Sequence, residues 1–539
     1  MNGTSPAAER ARPQPSHDGE RGDRAPASIL WWLAGLTALG VVVRFASLGV
    51  QSYHHDEVIT AARVVSGGFV HMLREVKASE SNPPLYYVLA WGWAKAFGTG
   101  EVGLRSLSAL FGAATVPVAY LIGRELASRR AGLVAAAIVA VNPMLIWYSQ
   151  EARSYALLIF FGALSLLFFV RALNSRGGGR DLALWAVASA AALCSHYFAV
   201  FAVGAEAVWL LVALRERRRA ALAAIVAVGA VGVALLPLVL AQINPVHIEW
   251  IQNIPLSKRL LDTGAAFLAG ETGRVIAQPA RDGYAIVPAL LIGAAFVLLA
   301  RRGSDRERRG ATLGAAVALA VILIPTIAAL AGKDYLVERN LLPALVPLAL
   351  VVAIGFALGG ARRLGALLAV LLCAYWLAFD IYVTQTPNLQ RPEFGAVAEK
   401  MGPPRRPRIV VTWKLGTDPL EFYLRDGSQD INAGRWPVKE IVVVAKQFAA
   451  AEAGTRLPRS FRAVERTQLP RLTLTRYVSQ RPIPVWFHTL RSLYTGFGRN
   501  AVVIDGLPSQ ASLPRRVGLG GGAHTIATPP GGVEEGAPR

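Results

Sequence analysis

Tyr53-His54-His55-Asp56-Glu57 follows the first apolar run of the chain and places two carboxylates side by side where a membrane helix would meet water. Charge at such a boundary is costly and is usually kept for function. A carboxylate there can accept a proton from a hydroxyl and turn it into a nucleophile. The competing interpretation is a solvated acid pair that stabilises the start of a juxtamembrane helix. Spacing alone does not separate the two.

Three further clusters carry chemically useful groups. In Gln150-Glu151-Ala152-Arg153-Ser154-Tyr155, Arg153 can hold a phosphate through charge-assisted bonds, beside the N–H groups that open the next helix. Salt-bridged capping is the structural alternative for Glu151 and Arg153. Lys333-Asp334-Tyr335 and Glu338-Arg339 place cations on the side that the positive-inside rule leaves poor in them. Arg339 at a helix start opposes the helix dipole unless an anion sits there, which favours a phosphate ligand for Lys333 and Arg339. Asn82-Pro83-Pro84 presets a helix entry, so a plain helix start is the readier reading of Asn82 and a binding role the second. His196 and Tyr197 stand at the tip of a short hairpin, where a buried histidine is the plainer reading. His54, His55 and His71 lack zinc spacing. No cofactor is expected, and dependence on a divalent metal is left open without being predicted.

These residues need a membrane scaffold. The chain has 539 residues, of which 53% are hydrophobic, and a formal net charge of +21. Its mean hydropathy is +0.40, above that of ordinary soluble domains. The positive charge sits in short arginine loops between apolar runs, as on the cytoplasmic side of a membrane protein, and not in a nucleic-acid-binding patch. Cys194 and Cys373 both fall in apolar runs, which argues against a disulfide framework.

Residues 1–28 read as a disordered cytoplasmic tail. The first run, about Ile29 to Leu48, reads as a retained anchor. Residues 50–103 form a long external loop, within which Pro84 to Phe97 is too short to span and suits the interface. Runs follow at about Leu104–Ile122 and Ala131–Trp147, then one ending near Arg171. Two short runs meet near His196, and another ends near Ala241 before a second external loop to about Arg281. Four more end at Arg301, Gly332, Arg362 and about Tyr382. With about eleven spans, every short arginine-rich loop falls on one side. The expected fold is an all-α polytopic membrane domain over residues 29–384, followed by a small extracytoplasmic α/β domain. That domain, 385–503, is signalled by Arg408–Trp413, Glu440–Val444 and Leu472–Tyr477. Residues 504–539, rich in Gly and Pro, read as a disordered tail.

The order of motifs resembles a known family. It comprises the Asp56-Glu57 pair, Asn82-Pro83-Pro84-Leu85-Tyr86-Tyr87, Leu104–Gly112, Tyr148–Leu157 and Arg339-Asn340-Leu341-Leu342-Pro343-Ala344-Leu345. Over residues 29–385 it is similar to glycosyltransferase family 39 of the GT-C superfamily, in its bacterial dolichyl-phosphate-mannose-protein mannosyltransferase-like branch, which includes the lipid A aminoarabinose transferases. The resemblance implies inverting transfer of a sugar from a polyprenyl-phosphate carrier to an acceptor outside the cytoplasmic membrane. It gives Asp56 the position of the base, Glu57 that of its acidic neighbour, and Arg153 and Arg339 places in loops that help bind the lipid phosphate. Asn82 and Asn340 depart from the His and aromatic residue of many relatives, which bears on recognition of the donor head.

The expected partners are a polyprenyl-phosphate-linked sugar, membrane lipids, and an acceptor that is a protein, a lipid or an envelope glycan; nucleic acid is not among them. The rival reading is a flippase or anion transporter with the acids as proton relay. Against it stand the lack of charge in mid-span and of paired helix interruptions.

Overall fold

The computed structural model describes residues 27–243, 251, 253–271, 278–424, 429–430, 434–449, 456–496 and 500–506. The expected tails, 1–28 and 504–539, lie outside these residues apart from 27–28 and 504–506. Residues 244–250, 252 and 272–277 of the second external loop lie outside them too.

The chain enters through α1 (Ala27–Phe45). The first loop then folds into α2 (His55–Val58), a wider helical turn (Ile59–Val64), α3 (Phe69–Ser79) and α4 (Leu85–Phe97). At 13 residues, α4 is about 20 Å long, too short to cross a bilayer. It buries Tyr86, Tyr87 and Ala90 against Tyr53, Val58, Met72 and Leu104, which gives the loop a core of its own. The bundle continues with α5 (Glu101–Leu126), α6 (Arg129–Val141), α7 (Pro143–Ser149), α8 (Tyr155–Asn174), α9 (Gly179–Ser195), α10 (Ala199–Ala213) and α11 (Arg218–Gln242). After α12 (Leu256–Ala269) come α13 (Gln278–Arg302), α14 (Asp305–Leu330), a 3-10 turn (Glu338–Ala344) leading into α15 (Leu345–Phe356), and α16 (Arg362–Gln385).

Among the described residues, 8 helices are long and apolar enough to cross a membrane, or up to 9 counting α6 and α7 as one span bent by 58°. The remaining two expected spans are α9 and α10, which at 17 and 15 residues are short for a crossing. The molecule is a multi-pass membrane protein. Small residues let its helices approach closely: a Cβ on Gly123 of α5 would lie 2.8 Å from the Cα of Gly132 in α6.

The α6–α7 bend has a specific cause. Asn142 caps α7 by accepting from the Leu145 N–H, and Pro143 has no N–H to offer the carbonyl of Val139. The fully buried Arg44 takes over, donating to Val139 O at 2.9 Å and Ala140 O at 2.8 Å, and from Nε to Ser149 Oγ at 3.1 Å. Sequence reading passed over Arg44 because it sits inside an apolar run. An ionisable side chain in mid-span is also present, contrary to expectation. Buried Glu206 of α10 accepts from Ser165 Oγ at 2.5 Å and Trp185 Nε1 at 2.8 Å. These contacts tie α8, α9 and α10 together, and they remove one argument against a transporter.

The C-terminal unit begins with α17 (Phe394–Met401) and β1 (Arg408–Trp413), whose end passes directly into α18 (Lys414–Leu424). β2 (Gln429–Asp430), β3 (Arg435–Lys446), β4 (Arg462–Leu469), β5 (Leu472–Trp486), α19 (Phe487–Arg491) and β6 (Asn500–Asp505) complete it. The six-stranded sheet has the order β2-β6-β1-β3-β5-β4. β1 and β3 are parallel and the other pairs antiparallel. Alternation along β1 sends Ile409 and Val411 into one core and Val410 into another with Phe394 and Val397, so every β1 residue is buried. Hydropathy missed β4, an edge strand exposed along most of its length. β6 carries the sheet two residues beyond 503, with Ile504 and Asp505 paired to Ile409 and Arg408 of β1, and Arg408 meets the Asp505 carboxylate at 2.7 Å.

Candidate active site

The sequence put Asp56 and Glu57 next to each other, and the short helix α2 sends them in different directions, since neighbouring helical residues are about 100° apart. Glu57 points into the protein and is fully buried. Its Oε1 accepts from Arg105 Nε at 2.7 Å and the Ala152 N–H at 3.0 Å. Its Oε2 accepts from Arg105 Nη2 at 2.8 Å and the His54 N–H at 3.0 Å. Arg105 also donates to the carbonyls of Leu48, Gln51 and Ser52, gathering the chain leaving α1 around one guanidinium. Burial works against the Glu57 charge, but Arg105 and these bonds hold its carboxyl below the usual range. Sequence reading missed Arg105, although it lies in the quoted Leu104–Gly112 motif.

Asp56 is only partly buried. Its Oδ2 lies 3.2 Å from Arg339 Nη1, and the two side chains are 22% and 31% exposed. Burial would raise its pKa, but Arg339 and then Arg153 hold the carboxyl well below the ordinary carboxylate range. It is therefore ionised at neutral pH and reachable from outside.

Arg153 lies beneath the pair, buried. It reaches Glu80 at 2.8 Å, the Asp56 carbonyl at 3.3 Å and Thr60 Oγ1 at 3.3 Å. Glu80, absent from the sequence-derived set, is pushed up by burial, with Arg153 opposing. Glu151 is buried and pairs with Arg391 Nη2 at 2.8 Å. The same guanidinium stands 3.7 Å from Glu57 and 4.6 Å from the Trp147 ring centroid. Burial also pushes the Glu151 carboxyl up, Arg391 notwithstanding. Arg391 lies just beyond the last apolar run, outside the motifs that carry the family resemblance.

The other candidates are more peripheral. Asn82 is buried, and its carbonyl accepts from Gln242 Nε2 at 3.2 Å. Lys333 is exposed on the loop before Arg339. In that loop Asp334 is anchored to Arg259 at 2.5 Å. His196 is buried, its ring centroid 5.8 Å from that of Tyr155. Burial, with Arg339 and Arg153 nearby, pushes its pKa down to about 3, so it is neutral. Among the described residues, no three His, Cys, Asp or Glu side chains group to hold a metal ion.

The arrangement thus offers a partly exposed carboxylate against a partly exposed guanidinium, over a buried set of ion pairs. A carboxylate can take a proton and a guanidinium can hold a phosphate.

Residues 81–241 match the family described as dolichyl-phosphate-mannose-protein mannosyltransferase. The fold is similar to that of ArnT from Cupriavidus metallidurans bound to undecaprenyl phosphate, with 14% identity and a TM-score of 0.52 over 85% of this chain and 100% of that one. The apo state of that protein gives the same identity and TM-score over 84% of this chain and 98% of that one. No curated protein sequence matches the chain. The chain is a multi-pass membrane protein whose fold is similar to that of ArnT and whose residues 81–241 match the dolichyl-phosphate-mannose-protein mannosyltransferase family.

Proposed function

We propose that the protein transfers a sugar from a polyprenyl-phosphate carrier to a hydroxyl acceptor on the extracytoplasmic face of the cytoplasmic membrane, with inversion and with Asp56 as the base. The observation that carries this reading is the Asp56–Arg339 pair at 3.2 Å, formed by residues 283 apart in sequence and partly exposed to solvent. The matched family and the ArnT fold supply the donor class. Mannose, an arabinose or another hexose fits equally well.

Asp56 accepts the acceptor O–H proton as that oxygen bonds to the anomeric carbon. The bond from that carbon to the phosphate oxygen breaks, and polyprenyl phosphate leaves as the anion. Arg339, the more exposed of the two site arginines, holds the phosphate, with Lys333 on the same loop. Arg153, committed to Glu80, contributes field from below. Cations at the leaving group replace an acid catalyst. As Arg339 turns toward phosphate its hold on Asp56 loosens, which makes the base stronger when the donor is in place. Glu57 and Glu151 shape the site from behind.

The domains follow the same reading: a catalytic membrane unit over 29–384 and an extracytoplasmic unit over 385–503 whose sheet runs on to Asp505.

The test is transfer from radiolabelled polyprenyl-phosphate sugars to a crude envelope acceptor by folded wild-type protein and Asp56→Asn. Transfer by wild type alone supports the base assignment. Full transfer by Asp56→Asn sinks it. Donor binding without any turnover favours a transporter.

A further inference from the structure

The C-terminal unit does more than sit beside the site: its helix α18 grips the segment that carries Asp56. We infer that Asp418 is a positioning residue for Asp56, acting through His55 and Arg63. This inference rests on the reading of Asp56 as the base.

The geometry is specific. Asp418 Oδ2 lies 2.9 Å from His55 Nδ1, and Oδ1 lies 2.8 Å from Arg63 Nη2. One carboxylate thus bridges residues on both sides of Asp56. Residues 55 and 63 would diverge by about 80° on an ideal α-helix. The widened turn over Ile59–Val64, marked by the Val65 N–H donating to Thr60 O at 3.0 Å, takes up part of that angle and brings both side chains to α18. The Asp56 carbonyl and carboxylate are held from the membrane domain, by Arg153 at 3.3 Å and Arg339 at 3.2 Å. The base-bearing segment is therefore clamped between two parts of the chain; on the C-terminal side Asp418 pairs with Arg63 and meets His55, while Arg391 stands 3.7 Å from Glu57.

α18 itself is firmly placed. It leaves β1 without an intervening loop, and its Tyr423 hydroxyl accepts from the Tyr53 N–H at 2.7 Å while donating to Glu101 Oε1 at 2.5 Å. Upstream, Ser52 Oγ donates to Glu393 at 2.9 Å and accepts from the Gly395 N–H at 2.9 Å. Asp418 can be altered with these contacts left in place. The membrane unit alone would leave His55 and Arg63 without their shared carboxylate, so the sheet domain completes the active site.

The experiment uses the full-length protein in detergent, with kcat and KM for the donor measured for wild type, Asp56→Asn, Asp418→Asn and Asp418→Glu, and thermal unfolding followed for each. A misplacement of about 1 Å costs on the order of a hundredfold in rate. Asp418→Asn is therefore expected to lose roughly ten- to a hundredfold in kcat, with donor KM and melting temperature near wild type, and Asp418→Glu to recover most of that loss. His55→Asn combined with Asp418→Asn should lose less than the sum of the single effects. Wild-type kcat in Asp418→Asn beside an inactive Asp56→Asn overturns the positioning role and leaves the base reading standing. A loss in Asp418→Asn matched by lost folded protein, or one that Asp418→Glu does not recover, also overturns it. Full transfer by Asp56→Asn instead removes the base reading itself.

Discussion

Replacing Glu57 by Gln tests whether this acid supports the site or reacts in it. Gln keeps the shape and removes the charge. Each carboxylate oxygen of Glu57 accepts two N–H groups: Arg105 Nε and Ala152 N on one, Arg105 Nη2 and His54 N on the other. Whichever way the amide is turned, its NH2 faces two donors. Each buried donor left without an acceptor costs about 1–3 kcal/mol. Arg105 loses its counter-charge, and breaking a buried pair from one side costs about 3–5 kcal/mol, an overlapping measure of the same loss. The Leu48, Gln51 and Ser52 carbonyls still accept from Arg105 and hold the loss toward the lower figure. Asp56→Asn is the control: its pair with Arg339 is partly open to water, so its loss in stability should stay below about 1 kcal/mol. The assay is thermal unfolding of the purified variants in one detergent. Glu57→Gln should unfold well below wild type and Asp56→Asn close to it. Glu57→Gln melting with wild type, or both variants falling equally, would refute the division of labour between the two acids.

Other outcomes follow from the same geometry. Asp56 has a depressed folded-state pKa, so its ion-pair contribution is complete above the ordinary carboxylate range and is lost only as pH falls through the depressed value. Arg339→Gln should therefore shift the acid limb of kcat/KM, which reports the free enzyme, to higher pH, and an unmoved limb in that profile would count against the pairing. Arg44→Met should lower the melting temperature by removing the donors to Val139 and Ala140, about 1–3 kcal/mol for each buried acceptor left open. A variant as stable as wild type would show that the α6–α7 bend holds without it. Arg391→Ala strips the partner from buried Glu151, so limited proteolysis between the membrane and C-terminal units should quicken; an unchanged digestion pattern would disprove this coupling.

Much of the scaffold was legible in the sequence because hydrophobic burial and charge placement are local signals. Apolar runs marked α1, α5, α8 and the later long spans, and arginines marked their loops. Continuous runs of Val and Ile marked β1 and the centre of β3, while the solvent-facing β4 left no such signal. Arg44 and Arg105 escaped notice because a window average treats one cation in an apolar run as noise. In the folded chain each is a hub satisfying several carbonyls.

The sequence by itself determined that this is a polytopic membrane protein with an acidic pair after its first apolar run and an α/β unit at its end. Only the tertiary structure decided which acid of that pair meets solvent and which is sealed. A helix turns adjacent side chains apart, and their partners, Arg339 for one and Arg105 for the other, come from distant elements. The same holds for Asp418 and Arg391, whose contacts with the first loop join residues hundreds of positions apart. No pattern of spacing encodes such pairs; the packing of the sheet domain against the first loop creates them.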